Sequence, residues 1–243
     1  MLGISDIDVV VFDVLGTLVD QPGGLRAALR SAVPAADEDL LSELLAVWEQ
    51  HVEREQQRIA DGDRAYVNTD VIDWEAAVRV ADHVGGTDPA TVARIATAGQ
   101  RLPPWDDSVA SLDRLARCVP VLALSNASRA SLLRLSAGAG LRWHQVLSGE
   151  TVGAYKPAPE VYRLAIDTAG CAPERVLMVA AHAWDLRGAQ AHSMRAAYVA
   201  RPAGDPPGPS DRFDLHADSL DDLVDKLCPA PDEARPSTHH VVS

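Results

Sequence analysis

The chain has 243 residues, 47% of them hydrophobic and 23% charged, enough apolar material for one large or two unequal globular domains and unlike a chain disordered throughout. Its 35 acidic against 22 basic residues leave a formal net charge of −13, which argues against nucleic acid and anionic membranes as partners because both need a basic footprint. No apolar run approaches the roughly 20 residues of a membrane span, and the acidic start Met1–Asp13 does not read as a secretory signal.

DVVVFD at 8–13 is a β-branched apolar run that ends in an acid and a turn-like LGT. Beyond it, from about Gly23 to Arg101, helical periodicity replaces strand patterning: Leu41, Leu44, Leu45, Trp48, Val52 and Ile59 make an apolar stripe with Glu, Gln and Arg on the other face. Residues 71–84 and 89–98 continue the helices, and Pro103-Pro104-Trp105 ends them. The stretch reads as an all-helical cap inserted after the first strand, or alternatively as a dimerisation arm that would make the chain a homodimer. Three more buried runs come at 119–126, 174–182 and 195–201, alternating with helices predicted at 130–137, 160–169 and 185–192. Such continuous apolar strands suit a parallel sheet covered on both faces, hence an α/β fold with a Rossmann-like core. A last helix carries Leu220, Leu223, Val224 and Leu227 behind a cap at Asp218 or Ser219. Residues 202–211 are Pro- and Gly-rich loop. The expected division is a core of 1–20 and 102–228, a cap of 21–101 and a disordered tail of 229–243, where His239 and His240 are tail composition. Cys118, Cys171 and Cys228 have no metal spacing and read as inert thiols in the cytoplasm.

Ligands of open parallel sheets sit beyond the carboxyl ends of the strands. The residue types just past each run are therefore a test of function. The first run delivers Asp13, Gly16 and Thr17, the second Ser125 and Asn126, the third His182, Trp184 and Asp185. Lys156 falls in a loop whose prolines start the next helix. Two acids, a lysine, a serine and an asparagine converging on one crevice is an active-site pattern.

FDVLGTLVD (12–20), LSNAS (124–128), YKPAPEVY (155–162) and VAAHAWD (179–185) resemble, in order and spacing, the four motifs of the haloacid dehalogenase superfamily. The last two are most similar to the type II, or L-2-haloacid, dehalogenases. The resemblance implies that superfamily's fold with its cap, a small-molecule substrate, and no cofactor or metal. It implies Asp13 as nucleophile, Lys156 as the cation beside it, Ser125 as an orienting hydroxyl and Asp185 as the acid that positions or activates water. Leu15, Thr17, Asn126, Tyr162, His182 and Trp184 would surround the substrate. Phosphatases of the superfamily carry a second Asp where Leu15 stands, and a magnesium ligand where Ala181 stands. The implied activity is hydrolysis of short 2-haloalkanoic acids to 2-hydroxy acids and halide through an aspartyl ester. The alternatives are a small-molecule phosphatase with a degraded magnesium site, a non-halide hydrolase using the same aspartate, and a non-enzymatic binding protein. The type II pattern W-R-Q reads Trp48-Glu49-Gln50 here, so a carboxylate replaces the family's arginine. Ala180 and His182 also depart from the family's fourth motif. Arg54, Arg58 and Arg64 are the candidates to restore the missing charge.

Overall fold

The computed structural model describes residues 3–228, so the predicted tail, with His239 and His240, lies outside the described residues. Strands β1 (Val9–Phe12), β2 (Val121–Ser125), β3 (Gln145–Ser148), β4 (Val176–Ala180), β5 (Arg195–Val199) and β6 (Leu215–Ala217) form one sheet in the order β3-β2-β1-β4-β5-β6. Every pairing is parallel, and Val11 of β1 lies between Leu122 and Met178. β1, β2 and β4 are buried along their whole length, which is why their sequences show no polar alternation. β3 and β6 have no counterpart among the predicted strands. They are short edge strands with exposed Gln145, Val146 and His216, so neither makes a continuous apolar run.

Between β1 and β2 the chain builds α1 (Gln21–Ala32), α2 (Glu38–Ala60), α3 (Thr69–His83) and α4 (Pro89–Ala96), the inserted helical cap. Asp37 caps α2 by accepting from Leu40 N–H at 2.9 Å. Leu41, Leu44 and Trp48 of that helix are buried as predicted, each stabilising by roughly 1.5–3 kcal/mol. The buried row then continues through His51 and Glu55, whereas Val52 and Ile59 of the predicted stripe are only half-buried. A carboxylate can occupy that place because Arg58 and Arg64 reach Glu55 at 2.9 and 2.7 Å.

The remaining helices are α5 (Ser108–Leu115), α6 (Arg129–Ala139), α7 (Pro159–Ala169), α8 (Ala183–Gln190) and α9 (Leu220–Leu227), the last capped by Ser219. Val10 and Phe12 enter one core with Leu112, Leu132 and Leu223; Val9 and Val11 enter the other with Val161 and Leu186. The strand order reverses at β1, with β2 on one side and β4 on the other. The crevice beyond the carboxyl ends therefore opens over the residue immediately after β1. That residue is Asp13.

Candidate active site

Asp13 is held by its own N–H, which donates to Val179 O at 3.0 Å, and its side chain is buried. The next turn needs glycine: Gly16 has φ +80°, and a Cβ there would fall 2.6 Å from His182 Nε2. The turn brings Thr17 back over Asp13, donating its hydroxyl to Oδ2 at 2.6 Å while accepting from Ala181 N–H at 2.9 Å. From the loop before α7, Lys156 donates its ammonium to Asp13 Oδ1 at 2.8 Å and to Asp185 Oδ2 at 2.6 Å. The second carboxyl oxygen of Asp185 accepts from the Tyr162 hydroxyl at 2.8 Å. Gly188 makes room for that phenol, since a Cβ there would meet its oxygen at 2.3 Å.

Asp13, Lys156 and Asp185 thus form a chain of two carboxylates on one ammonium, all buried. Burial alone raises a carboxyl pKa, but the Lys156 charge, then His182 and the hydrogen bonds from Lys156 and Thr17, outweigh it and hold Asp13 below the usual carboxylate range. Asp185 goes the other way: burial, reinforced by the Asp13 charge, keeps it above that range despite Lys156. For Lys156 burial opposes the charged form and the two carboxylates restore it, so its pKa is raised. Burial, with Asp185 beside it, also raises the Tyr162 phenol. The arrangement offers an ionised, desolvated carboxylate and, behind its ammonium, a second carboxyl that takes a proton more readily.

Asn126 accepts Lys156 N–H on Oδ1 at 2.7 Å and lines the crevice, and among the described residues its amide donors make no hydrogen bond. Ser125 is buried, and its hydroxyl accepts from Ala127 N–H at 3.2 Å; among the described residues it makes no hydrogen bond to Asp13. His182 Nε2 meets Leu15 O at 3.2 Å and stands 4.0 Å from Asp13 Oδ2. Trp184 stacks on His182 and stays partly open to the crevice. That crevice, about 840 Å³, runs between Lys156, Asn126 and Trp184 on the core and Trp48, Glu49 and Val52 on α2.

The three arginines expected to supply the missing charge do not enter it. Arg64 is taken by Glu55 and Glu75 at 2.7 Å each, Arg58 by Glu55 at 2.9 Å, and Arg54 by His51 at 3.0 Å. Arg58 and Arg64 line a separate hollow between α2 and α3. Glu49 does line the crevice, and burial raises its pKa. The sequence reading missed the brace under the turn that follows Asp13: Arg201 donates to Thr17 O at 2.8 Å and is gripped by Asp107 at 2.8 and 2.9 Å, while Trp105 Nε1 donates to Gly16 O at 3.1 Å. Arg201 and Asp107 lie 94 residues apart and Trp105 sits in ordinary loop sequence, so no local pattern points to them. Among the described residues no group of three or more His, Cys, Asp or Glu side chains is placed to hold a metal ion.

A family model described as haloacid dehalogenase-like hydrolase matches residues 7–193. The chain belongs to that family. This haloacid dehalogenase-like hydrolase is 30% identical over 199 residues to an (S)-2-haloacid dehalogenase of Pseudomonas putida, covering 80% of this chain and 86% of the relative. It is 31% identical over 202 residues to another of Xanthobacter autotrophicus, covering 80% and 76%. Among solved structures it superposes on an L-2-haloacid dehalogenase with TM-score 0.82 and 30% identity, covering 90% of this chain and 97% of the other. The Xanthobacter autotrophicus L-2-haloacid dehalogenase with chloropropionic acid covalently bound gives TM-score 0.75 and 26% identity, with the same coverage of 90% and 97%.

Proposed function

We propose that this hydrolase converts short 2-halo acids, of the (S) series, to 2-hydroxy acids and halide. The observation that carries the reading is the Asp13 carboxylate, desolvated yet kept ionised by Lys156 at 2.8 Å, beside an apolar Leu15. A carboxylate stripped of water is a nucleophile, and halide leaves carbon without receiving a proton, so no acid is needed where Leu15 stands. An Asp13 oxygen attacks the halogen-bearing carbon, the carbon–halogen bond breaks with its electron pair on halide, and an aspartyl ester forms. Water then attacks the ester carbonyl carbon, where Lys156 and Thr17 already donate to the two oxygens and stabilise charge developing there. Asp185, held above the usual carboxylate range, takes one proton from water and hands it to the alkoxide oxygen as the acyl carbon–oxygen bond of the ester breaks, while the second water proton passes to solvent. Hydroxy acid leaves and Asp13 is restored. The amide donors of Asn126 and the wall of Trp184, both lining the crevice, position the substrate, and Tyr162 positions Asp185.

A single turnover in H₂¹⁸O with enzyme in excess tests the ester. The label should appear in the peptide containing Asp13 and the product should carry unlabelled oxygen. Label passing directly into product rejects the covalent route. The division into a core of 1–20 and 102–228 and a cap of 21–101 is supported by Asp20 N–H donating to Pro103 O at 2.8 Å, where the two connecting segments run side by side. Exposed Val71, Trp74 and Val78 on α3 support a homodimer through the cap, which light scattering would test. The free cysteines support a reducing compartment, the cytoplasm.

A further inference from the structure

Beside the main crevice, and sharing part of its wall, lies a smaller hollow of about 60 Å³ between the core and α3. Leu15 and Asn126 form its floor, Trp48 and Val52 are shared with the crevice, and Asp73 faces in from the cap. It has room for ordered water or for the head of an aminoalkyl chain. Asp73 is half-buried at the wall of this hollow, and among the described residues it accepts no hydrogen bond and meets no cation. Its Oδ2 lies 3.9 Å from where a side chain on Gly99 would begin, so a glycine there leaves the approach open. The titratable groups that reach Asp73 are Asp70, earlier on α3, and the Tyr155 phenol from the loop before α7. Burial and Asp70 together push its pKa up to about 8. Glu49, Glu53 and Glu160 line the crevice as well, and its lysine, Lys156, already serves two carboxylates. A plain haloacid anion entering here meets carboxylates and no free positive charge.

We propose that Asp73 is the cap residue that recognises the substrate, and that it takes a protonated amine carried on the tail of the 2-halo acid. A zwitterion of this kind enters without net charge, its ammonium pairs with a carboxylate that otherwise lacks a partner, and its carboxylate is left to the Asn126 amide. The inference rests on the dehalogenase reading for its halo acid and on the hollow for its amine.

Calorimetry separates the two. The probes are 5-aminopentanoate and its isostere hexanoate, which cannot react. The native protein should bind the amine at least about tenfold more tightly, as expected for a hydrogen-bonded charge in an enclosed site. Pairing ionises Asp73, so binding at pH 7 should release close to one proton, read from the heat in phosphate and Tris buffers. Asp73→Asn should remove both the preference and the proton release. Equal affinities, or amine binding without proton release by the native protein, overturn the proposal even if the variant fails to fold. A preference that survives Asp73→Asn overturns it too. Halide release from 2-chloropropionate, measured alongside, tests the chemistry. Release without an amine preference ends this inference alone, and an amine preference with no halide release from 2-chloropropionate or 6-amino-2-chlorohexanoate ends the dehalogenase reading alone.

Discussion

Replacing Lys156 with methionine keeps the length of the side chain and removes its charge. In the native site one ammonium touches Asp13 at 2.8 Å and Asp185 at 2.6 Å, and Lys156 and both acids are buried. Without it two carboxylates face each other in low dielectric, and they cannot both stay ionised. They take up one proton between them. Each unit by which the nucleophile's pKa rises is about 1.36 kcal/mol, and removing one partner from a buried ion pair costs about 3–5 kcal/mol. Protonation of one acid relieves much of that cost at low pH. The variant should therefore be less stable than the parent by a few kcal/mol at pH 8 and much closer to it at pH 5. Halide release should fall by about a thousandfold or more at neutral pH and recover partly as the pH rises, because only the ionised acid attacks. Urea melts at the two pH values and a pH–rate profile read both effects. A variant with parental stability at pH 8, or with an unshifted acid limb in its rate profile, would refute the account of Lys156 as the group that keeps Asp13 charged.

Three other perturbations test the same geometry. Tyr162→Phe removes the hydroxyl that donates to Asp185 at 2.8 Å; the deacylation step should slow, with ester accumulating in rapid-quench experiments, and stability should drop by about 1–3 kcal/mol. Gly16→Ala places a methyl group 2.6 Å from the His182 ring on a backbone at φ +80°, so it should lower the melting temperature and abolish turnover together, whereas Gly62→Ala, with open space around it, should cost stability alone. Asp73→Asn should change the pH dependence of stability. The unfolded carboxyl loses its proton near 3.8 and the folded one near 8, so the native state holds the extra proton and the parent loses stability as pH rises through that window. The variant should gain relative to the parent between pH 4 and 8, by on the order of a few kcal/mol, and a constant difference across that range in urea melts would count against the raised Asp73 carboxyl.

Where burial is complete on both faces, the sequence is enough to read the fold. β1, β2 and β4 are uninterrupted apolar runs, and each carries its polar residue at the end where the crevice opens. The edges are not readable in the same way, because β3 and β6 leave Gln145, Val146 and His216 in solvent and are too short to stand out. Asp13, Lys156, Asp185, Thr17 and Tyr162 are legible as site residues, and they come together within hydrogen-bond distance. Ser125 is legible as well, but its hydroxyl serves Ala127. The arginines of α2 show why charge cannot be assigned by proximity in sequence. One turn of helix decides whether a side chain faces the crevice or the Glu55 network, and an expectation of a purely apolar stripe hides the buried Glu55 that draws them. Asp73 stays hidden for the opposite reason, since an acid on a cap helix looks like solvent-facing surface.

The brace under the turn after Asp13 has a consequence for synthesis. Asp107, which grips Arg201, also accepts from Leu220 N–H at 2.8 Å at the start of α9. The turn that aims Asp13 is thus clamped by segments from the last quarter of the chain. Asp13 is synthesised well before Arg201 and Leu220, so the turn that follows it gains its brace only once those later segments have folded against it.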